Sequence, residues 1–272
     1  MKTLYLSDLD GTLLNSNVEI SDYSANVINR FIQNGGCFSY ATARSFVTSS
    51  KATYKLNKSF PVICYNGAFI IENGTNKVLL SNYFSMDEVD YISDTLNSHD
   101  IYPIVFAYVN GVERFSYIAE KITPAMKHFL DSRAGDPRHR TVDCSRDLYY
   151  GDVFYIACMD ADSLLSKVND VFSTNKNYNC IYHKDIYSNE PWCEIMPVNA
   201  SKANAAIQLK NLLGCEKIIA FGDGLNDLSL FSVADEKYAV SNAVTELKEA
   251  ATKIIDSNNN DGVAKWLEQS IG

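Results

Sequence analysis

The chain has 272 residues, 46% hydrophobic and 21% charged, with a formal net charge of -9. That is material for one large or two ordinary domains with a sizeable core, and the acidic balance argues against a broad nucleic-acid or anionic-membrane surface. Seven widely spaced cysteines without a CxxC pair read as reduced, buried hydrophobes, and no window approaches ~20 apolar residues, so a cytoplasmic protein with no membrane partner is expected.

The first apolar run, Leu4-Tyr5-Leu6, reads as a buried strand. It delivers Asp8-Leu9-Asp10-Gly11-Thr12 to a strand end, where α/β enzymes place their chemistry. Period-two geometry would aim Asp8 and Asp10 to one side, and Gly11 permits a sharp turn beside them. Two such close carboxylates stay ionised only around a cation, and an oxygen-rich site of this kind suits Mg²⁺. Ser21 then caps a helix carrying Ala25, Ile28, Phe31 and Ile32, which Gly35-Gly36 ends. A second apolar run, residues 37–41, ends in Thr42-Ala43-Arg44, and a third, residues 61–64, ends in Tyr65-Asn66-Gly67. Strands that repeatedly end in polar turns predict a doubly wound, mostly parallel α/β sheet.

Asn73-Gly74 signals a hairpin leaving this domain, and Ser85-Met86-Asp87-Glu88 is a capping box opening a helix to about Ser98. Up to about Ser188, helices alternate with paired strands, including a hairpin at Asn110-Gly111, as expected of an α+β insert. Acidic residues outnumber basic ones there, so the insert is no general anion trap. Its basic side chains, Arg114, Arg133, Arg138 and Arg140 among them, are candidate substrate contacts but read mainly as solvated charges. Near Trp192-Cys193-Glu194-Ile195-Met196 the strand-helix rhythm returns. Ser201-Lys202 opens a helix, and Lys217 to Phe221 runs into Gly222-Asp223-Gly224-Leu225-Asn226-Asp227. An Asn-rich loop, residues 257–261, precedes a last helix. The expected organisation is a discontinuous core, residues 1–84 and 189–272, around an insert at 85–188.

Asp8 with Asp10, Thr42, Lys202, and Asp223 with Asp227 therefore converge on one sheet edge as a kit for handling phosphate. A phosphoryl group in transfer spreads negative charge over its oxygens, so catalysis is mostly positioning and electrostatics. Taken singly, each station has a structural reading. Thr42 can cap a helix, Lys202 can be a solvated first-turn lysine, the 222–227 run can be a turn, Arg44 can pair with a surface carboxylate, and Asn66 can shape a turn or line the site.

Their order, together with Asn66-Gly67-Ala68 and Asp261-Gly262-Val263-Ala264, resembles the haloacid dehalogenase (HAD) superfamily of phosphatases, in its Cof-type branch, along essentially the whole chain. The resemblance implies a Rossmann-like core with an inserted cap and a Mg²⁺-dependent phosphomonoesterase acting on a small phosphorylated metabolite, such as a sugar phosphate. It implies that Asp8 is the nucleophile, forming an aspartyl-phosphate, and that Asp10 is the general acid and then base. Asp8, the Asp10 carbonyl and Asp223 would hold Mg²⁺, Asp227 and Asn226 would support that set, and Thr42 and Lys202 would bind phosphoryl oxygens. Ala43 and Ala203 stand where the family usually has glycine, which puts loop geometry in question. A phosphomannomutase-type phosphotransferase and a non-enzymatic phospho-ligand sensor are the alternatives.

Overall fold

The computed structural model describes residues 1–184 and 190–271. The chain divides into two units, Met1–Ser81 with Ala200–Gly272 and, inserted between these segments, Asn82–Asn199. The first break precedes the 84/85 position read from the hairpin, and 188/189 lies outside the described residues.

The first unit opens with β1 (Thr3–Ser7), α1 (Asp22–Gln33), β2 (Cys37–Tyr40), α2 (Phe46–Ala52), β3 (Pro61–Cys64), β4 (Phe69–Glu72) and β5 (Val78–Ser81). The insert runs through α3 (Met86–Ser98), β6 (Ile104–Val109), β7 (Val112–Ile118), α4 (Pro124–Asp131), β8 (His139–Val142), α5 (Ser145–Leu148), β9 (Asp152–Met159), α6 (Asp162–Ser173), β10 (Tyr178–Lys184) and β11 (Pro191–Pro197). The first unit then resumes with α7 (Lys202–Leu212), β12 (Lys217–Gly222), α8 (Asp227–Val233), β13 (Glu236–Val240), α9 (Thr245–Ala250), β14 (Lys253–Ile255) and α10 (Gly262–Ile271).

Five strands of the first unit form a wholly parallel sheet in the order β14-β13-β12-β1-β2, and a parallel bridge from Ala41 to Ile63 leads to the hairpin sheet β3-β4-β5. Both faces of β1 are covered. Leu4 and Leu6 join Ala205 and Leu209 of α7 and Leu230 and Phe231 of α8, whereas Tyr5 meets Phe31 of α1 and Trp266 of α10 at ring-centroid distances of 5.0 and 6.1 Å. A parallel strand sandwiched between helix layers is apolar at consecutive positions, which is why Leu4-Tyr5-Leu6 shows no alternation. From β1 the chain moves outward to β2, and from β12 it moves the opposite way to β13. The β1/β12 boundary is therefore the topological switch point, with a crevice beyond the strands' carboxyl ends.

The insert is a mixed six-stranded sheet, order β10-β11-β9-β6-β7-β8, antiparallel except for the β7–β8 pair. The Ser85 capping box is formed. Ile92 and Leu96 of α3 and Leu165, Val168 and Phe172 of α6 cover the sheet face bearing Val105, Ala107 and Ile156. The alternate residues Phe106 and Phe115 pack on Phe129 of α4. At the tip of the β6–β7 hairpin Asn110 and Gly111 take φ of 51° and 77°, as a two-residue turn matching strand twist requires. Asn73-Gly74 also marks a hairpin, but a wider one: the Glu72 N–H donates to the Lys77 carbonyl, and Asn76 is the residue with positive φ.

Two features of the insert depart from the sequence reading. The 192–196 stretch, read as the core rhythm returning, forms β11 and pairs antiparallel with β9 and β10. It places Cys193 and Ile195 under the helices, with Trp192 and Glu194 alternating to the other face; local alternation identifies a strand but not its sheet. Arg138, read as a solvated charge, is 7% exposed and donates to both Glu113 and Asp136. The four-residue elements β8 and α5 are too short to show a period.

Candidate active site

Asp8 lies one residue past β1, and its N–H continues the ladder to the Phe221 carbonyl of β12 (2.9 Å). The chain then turns instead of extending, because the N–H groups of Thr12, Leu13 and Leu14 all point at the Leu9 carbonyl. Period-two geometry thus stops at Asp8. The Asp10 carboxylate is turned to Arg44, whose Nε and Nη2 reach it at 2.6 and 2.5 Å in a bidentate pair.

At the end of the neighbouring β12, Asp223 and Asp227 are brought beside Asp8, and one oxygen from each of the three carboxylates lies within 4.8 Å of the others. Lys202 opens α7 with its side chain buried and spans the group, with Nζ at 2.5 Å from Asp8 Oδ1 and 2.7 Å from Asp227 Oδ1. Local backbone chemistry fixes the rest. Asp227 Oδ2 accepts the N–H groups of Asp223 and Gly224, and Gly222 must lack a side chain because a Cβ there would meet Asp227 Oδ2 at 2.7 Å. Gly11, at φ +74°, sits so close beneath Asp223 that a Cβ would lie 2.2 Å from its Oδ2. Thr12 Oγ1 donates to Asp223 Oδ1 at 2.8 Å. Asn226 precedes α8, and its Oδ1 folds against Gly224.

The electrostatics are those of crowded carboxylates with one cation. Burial, followed by repulsion from Asp227, raises the Asp223 pKa to about 7. Burial also raises Asp8 well above the ordinary carboxylate range, and the attraction of Lys202 only partly offsets it. Burial opposes the charge on Lys202, yet Asp227 and Asp8 together hold its pKa above the usual lysine value. Asp227 is saturated by Lys202 and two amides, whereas Oδ2 of Asp8 and Oδ2 of Asp223 accept no hydrogen bond from the described residues. An all-oxygen set with excess negative charge fits a hard divalent cation, which Asp8 and Asp223 could ligate and Asp227 could support.

Thr42, Arg44 and Asn66 form an adjoining cluster. Thr42 N–H donates to the Ile63 carbonyl, Asn66 N–H to the Thr42 carbonyl, and Arg44 N–H to Thr42 Oγ1 (3.1 Å). The Arg44–Asp10 pair joins this cluster to the 8–12 loop. Thr42 and Asn66 are buried, and Asn66 takes φ 51°. Neither Ala43 nor Ala203 has positive φ, so their methyl groups need no strained backbone. Thr12 was missed as a site residue although it stands inside the first motif, and Asn242, discussed below, carries no local signal.

A profile of the haloacid dehalogenase-like hydrolase family matches residues 5–267. Two Bacillus subtilis relatives named as 5-amino-6-(5-phospho-D-ribitylamino)uracil phosphatases, YitU and YwtE, are 25% and 27% identical. The alignments cover 96% and 97% of this chain, and 95% and 96% of theirs. The crystal structure of TM0651 from Thermotoga maritima superposes with a TM-score of 0.77 at 25% identity, over 99% of this chain and 97% of that one. None of the described helices is long and apolar enough to cross a membrane.

Proposed function

This chain belongs to the haloacid dehalogenase-like hydrolases as a Cof-type phosphatase of phosphorylated metabolites, and from that premise we propose a Mg²⁺-dependent phosphomonoesterase working through Asp8. The observation that carries the reading is the largely buried meeting of Asp8, Asp223, Asp227 and Lys202 at the switch point of the sheet.

In the first step an Asp8 carboxylate oxygen attacks phosphorus, the phosphorus–ester oxygen bond breaks, and Asp10 gives a proton to the departing oxygen. This leaves an aspartyl-phosphate and a free alcohol. In the second, Asp10 removes a proton from water, whose oxygen attacks the same phosphorus and returns Asp8 as a carboxylate with release of inorganic phosphate. Lys202 and Thr42 bind phosphoryl oxygens, Arg44 orients Asp10, and Asn66 and Arg44 are the candidate substrate contacts. Mg²⁺ held by Asp8, the Asp10 carbonyl and Asp223 would neutralise the repulsion between nucleophile and phosphate. The names of the two Bacillus relatives favour a phosphate on a sugar or sugar-alcohol chain.

The test is phosphate release from an aryl phosphate and from a panel of sugar and polyol phosphates, with and without Mg²⁺. Asp8→Asn is expected to lower turnover by about 10⁴-fold or more. Full turnover in that variant would overturn the nucleophile assignment.

A further inference from the structure

The loop Ser241–Val244, between β13 and α9, touches both acidic loops of the site. Its Val244 N–H donates to the Asp223 carbonyl at 2.9 Å, and its Asn242 Nδ2 donates to the Gly11 carbonyl at 2.7 Å. One short segment therefore grips the loop after β1 and the loop after β12. Gly11 is the residue whose backbone passes directly beneath the Asp223 carboxylate, and its neighbour Thr12 bonds that carboxylate. The direction of the Gly11 carbonyl fixes the Gly11–Thr12 peptide plane and, through it, how the 8–12 loop seats against Asp223.

Asn242 is itself held from behind. Its Oδ1 accepts the Asn258 N–H at 3.0 Å, while Asn258 Nδ2 donates to the Leu14 carbonyl at 2.9 Å. Asn258 is nearly buried and belongs to the Asn-rich loop. That loop also binds Ser16 through Asn259, and Ser21 and Ser24 through Asp261. A stretch that reads as a mere linker is thus a clamp along the segment following the nucleophile loop. Asn supplies a donor and an acceptor on one short planar group, so a single side chain can bridge the Asn258 N–H and the Gly11 carbonyl.

We propose that Asn242, braced by Asn258, is a positioning residue of the phosphatase site, setting the spacing between the Asp8–Thr12 loop and Asp223 and hence the affinity for the divalent cation. This rests on the metal reading given above. Losing one neutral hydrogen bond of this kind weakens binding about fivefold, and supporting residues of metal sites reach tenfold or more.

The experiment measures the rise in thermal midpoint with Mg²⁺ concentration, without substrate, together with amide exchange across residues 9–14 in metal-free protein. Asn242→Ala is expected to need about fivefold more Mg²⁺ for the same stabilisation and to exchange faster over that segment. Asn242→Asp keeps the acceptor for Asn258 but loses the donor to Gly11. It should also weaken Mg²⁺ despite its added negative charge, an effect that simple charge attraction would reverse. Asn259→Ala, which loses only bonds to Ser16, should respond like the parent. An Asn242→Ala protein with a lower midpoint but an unchanged Mg²⁺ requirement would reduce Asn242 to a structural contact and overturn the proposal. A parent protein that gains no stability from Mg²⁺ would overturn the metal reading as well.

Discussion

The two units each contain a cluster of buried charge, and the clusters behave in opposite ways. In the insert, Arg138 lies between Glu113 and Asp136, with donors directed at both carboxylates, and the Arg138 hydrogen bonds push the Asp136 pKa down to about 2. In the first unit, three carboxylates share the single ammonium of Lys202, and burial pushes Asp223 up to about 7. A buried ionic group whose lone pairs are satisfied is architecture. One left short of positive charge marks a place where a ligand completes the set.

Removing Lys202 should sharpen that contrast most. Lys202→Met leaves three uncompensated carboxylates and, on the proposed mechanism, removes the ammonium that would bind phosphate, so turnover is expected to fall by about 10²–10³-fold. Mg²⁺ should stabilise this variant more than the parent, which melting at fixed pH with and without the metal will show. The second expected effect concerns pH. Asp223 has a folded pKa above its unfolded one, so its contribution to stability is full below about pH 4 and is lost as pH rises through about 7, and Asp8, raised by burial, acts in the same direction. Metal-free protein should therefore gain far more from Mg²⁺ at pH 8 than at pH 5. A gain independent of pH would break the comparison.

On the other side of the contrast, Arg138→Met should destabilise the insert by about 2 kcal/mol, because two partly buried carboxylates lose their charged donor. Its Mg²⁺ requirement should stay at the parent value; a shift in that requirement would show that the Arg138 cluster is more than architecture. The smallest effect is expected at Ala203. Residing in α7 without positive φ, it should tolerate Ala203→Gly with a loss of about 0.5–1 kcal/mol from helix propensity and little change in turnover.

Much of this was legible beforehand where chemistry is local. The strand under Leu4–Leu6, the capping box at Ser85 and the hairpin at Asn110-Gly111 each follow from residues within one turn of one another. The meeting of Asp8 with Asp223 was also readable, since strand ends in a doubly wound sheet share one edge. What stayed hidden depends on partners distant in sequence. Nothing near Trp192 says which sheet it joins, nothing around Arg138 announces Glu113 as its neighbour, and nothing in Ser241-Asn242-Ala243 points to the Gly11 carbonyl. The bend after Asp8 was hidden for a different reason: alternation says where a carboxylate aims only while the chain remains extended, and it stops being extended one residue too soon for Asp10.

The pairing of β1 with β12 also has a consequence during synthesis. Asp8 is synthesised ahead of the insert, but Asp223 and Asp227 follow only after the entire insert has been made. Until then Asp8 has no acidic neighbour from β12 and no Lys202, so a nascent chain lacks the assembled set of three carboxylates and one ammonium. The set is therefore completed only when β12 docks against β1.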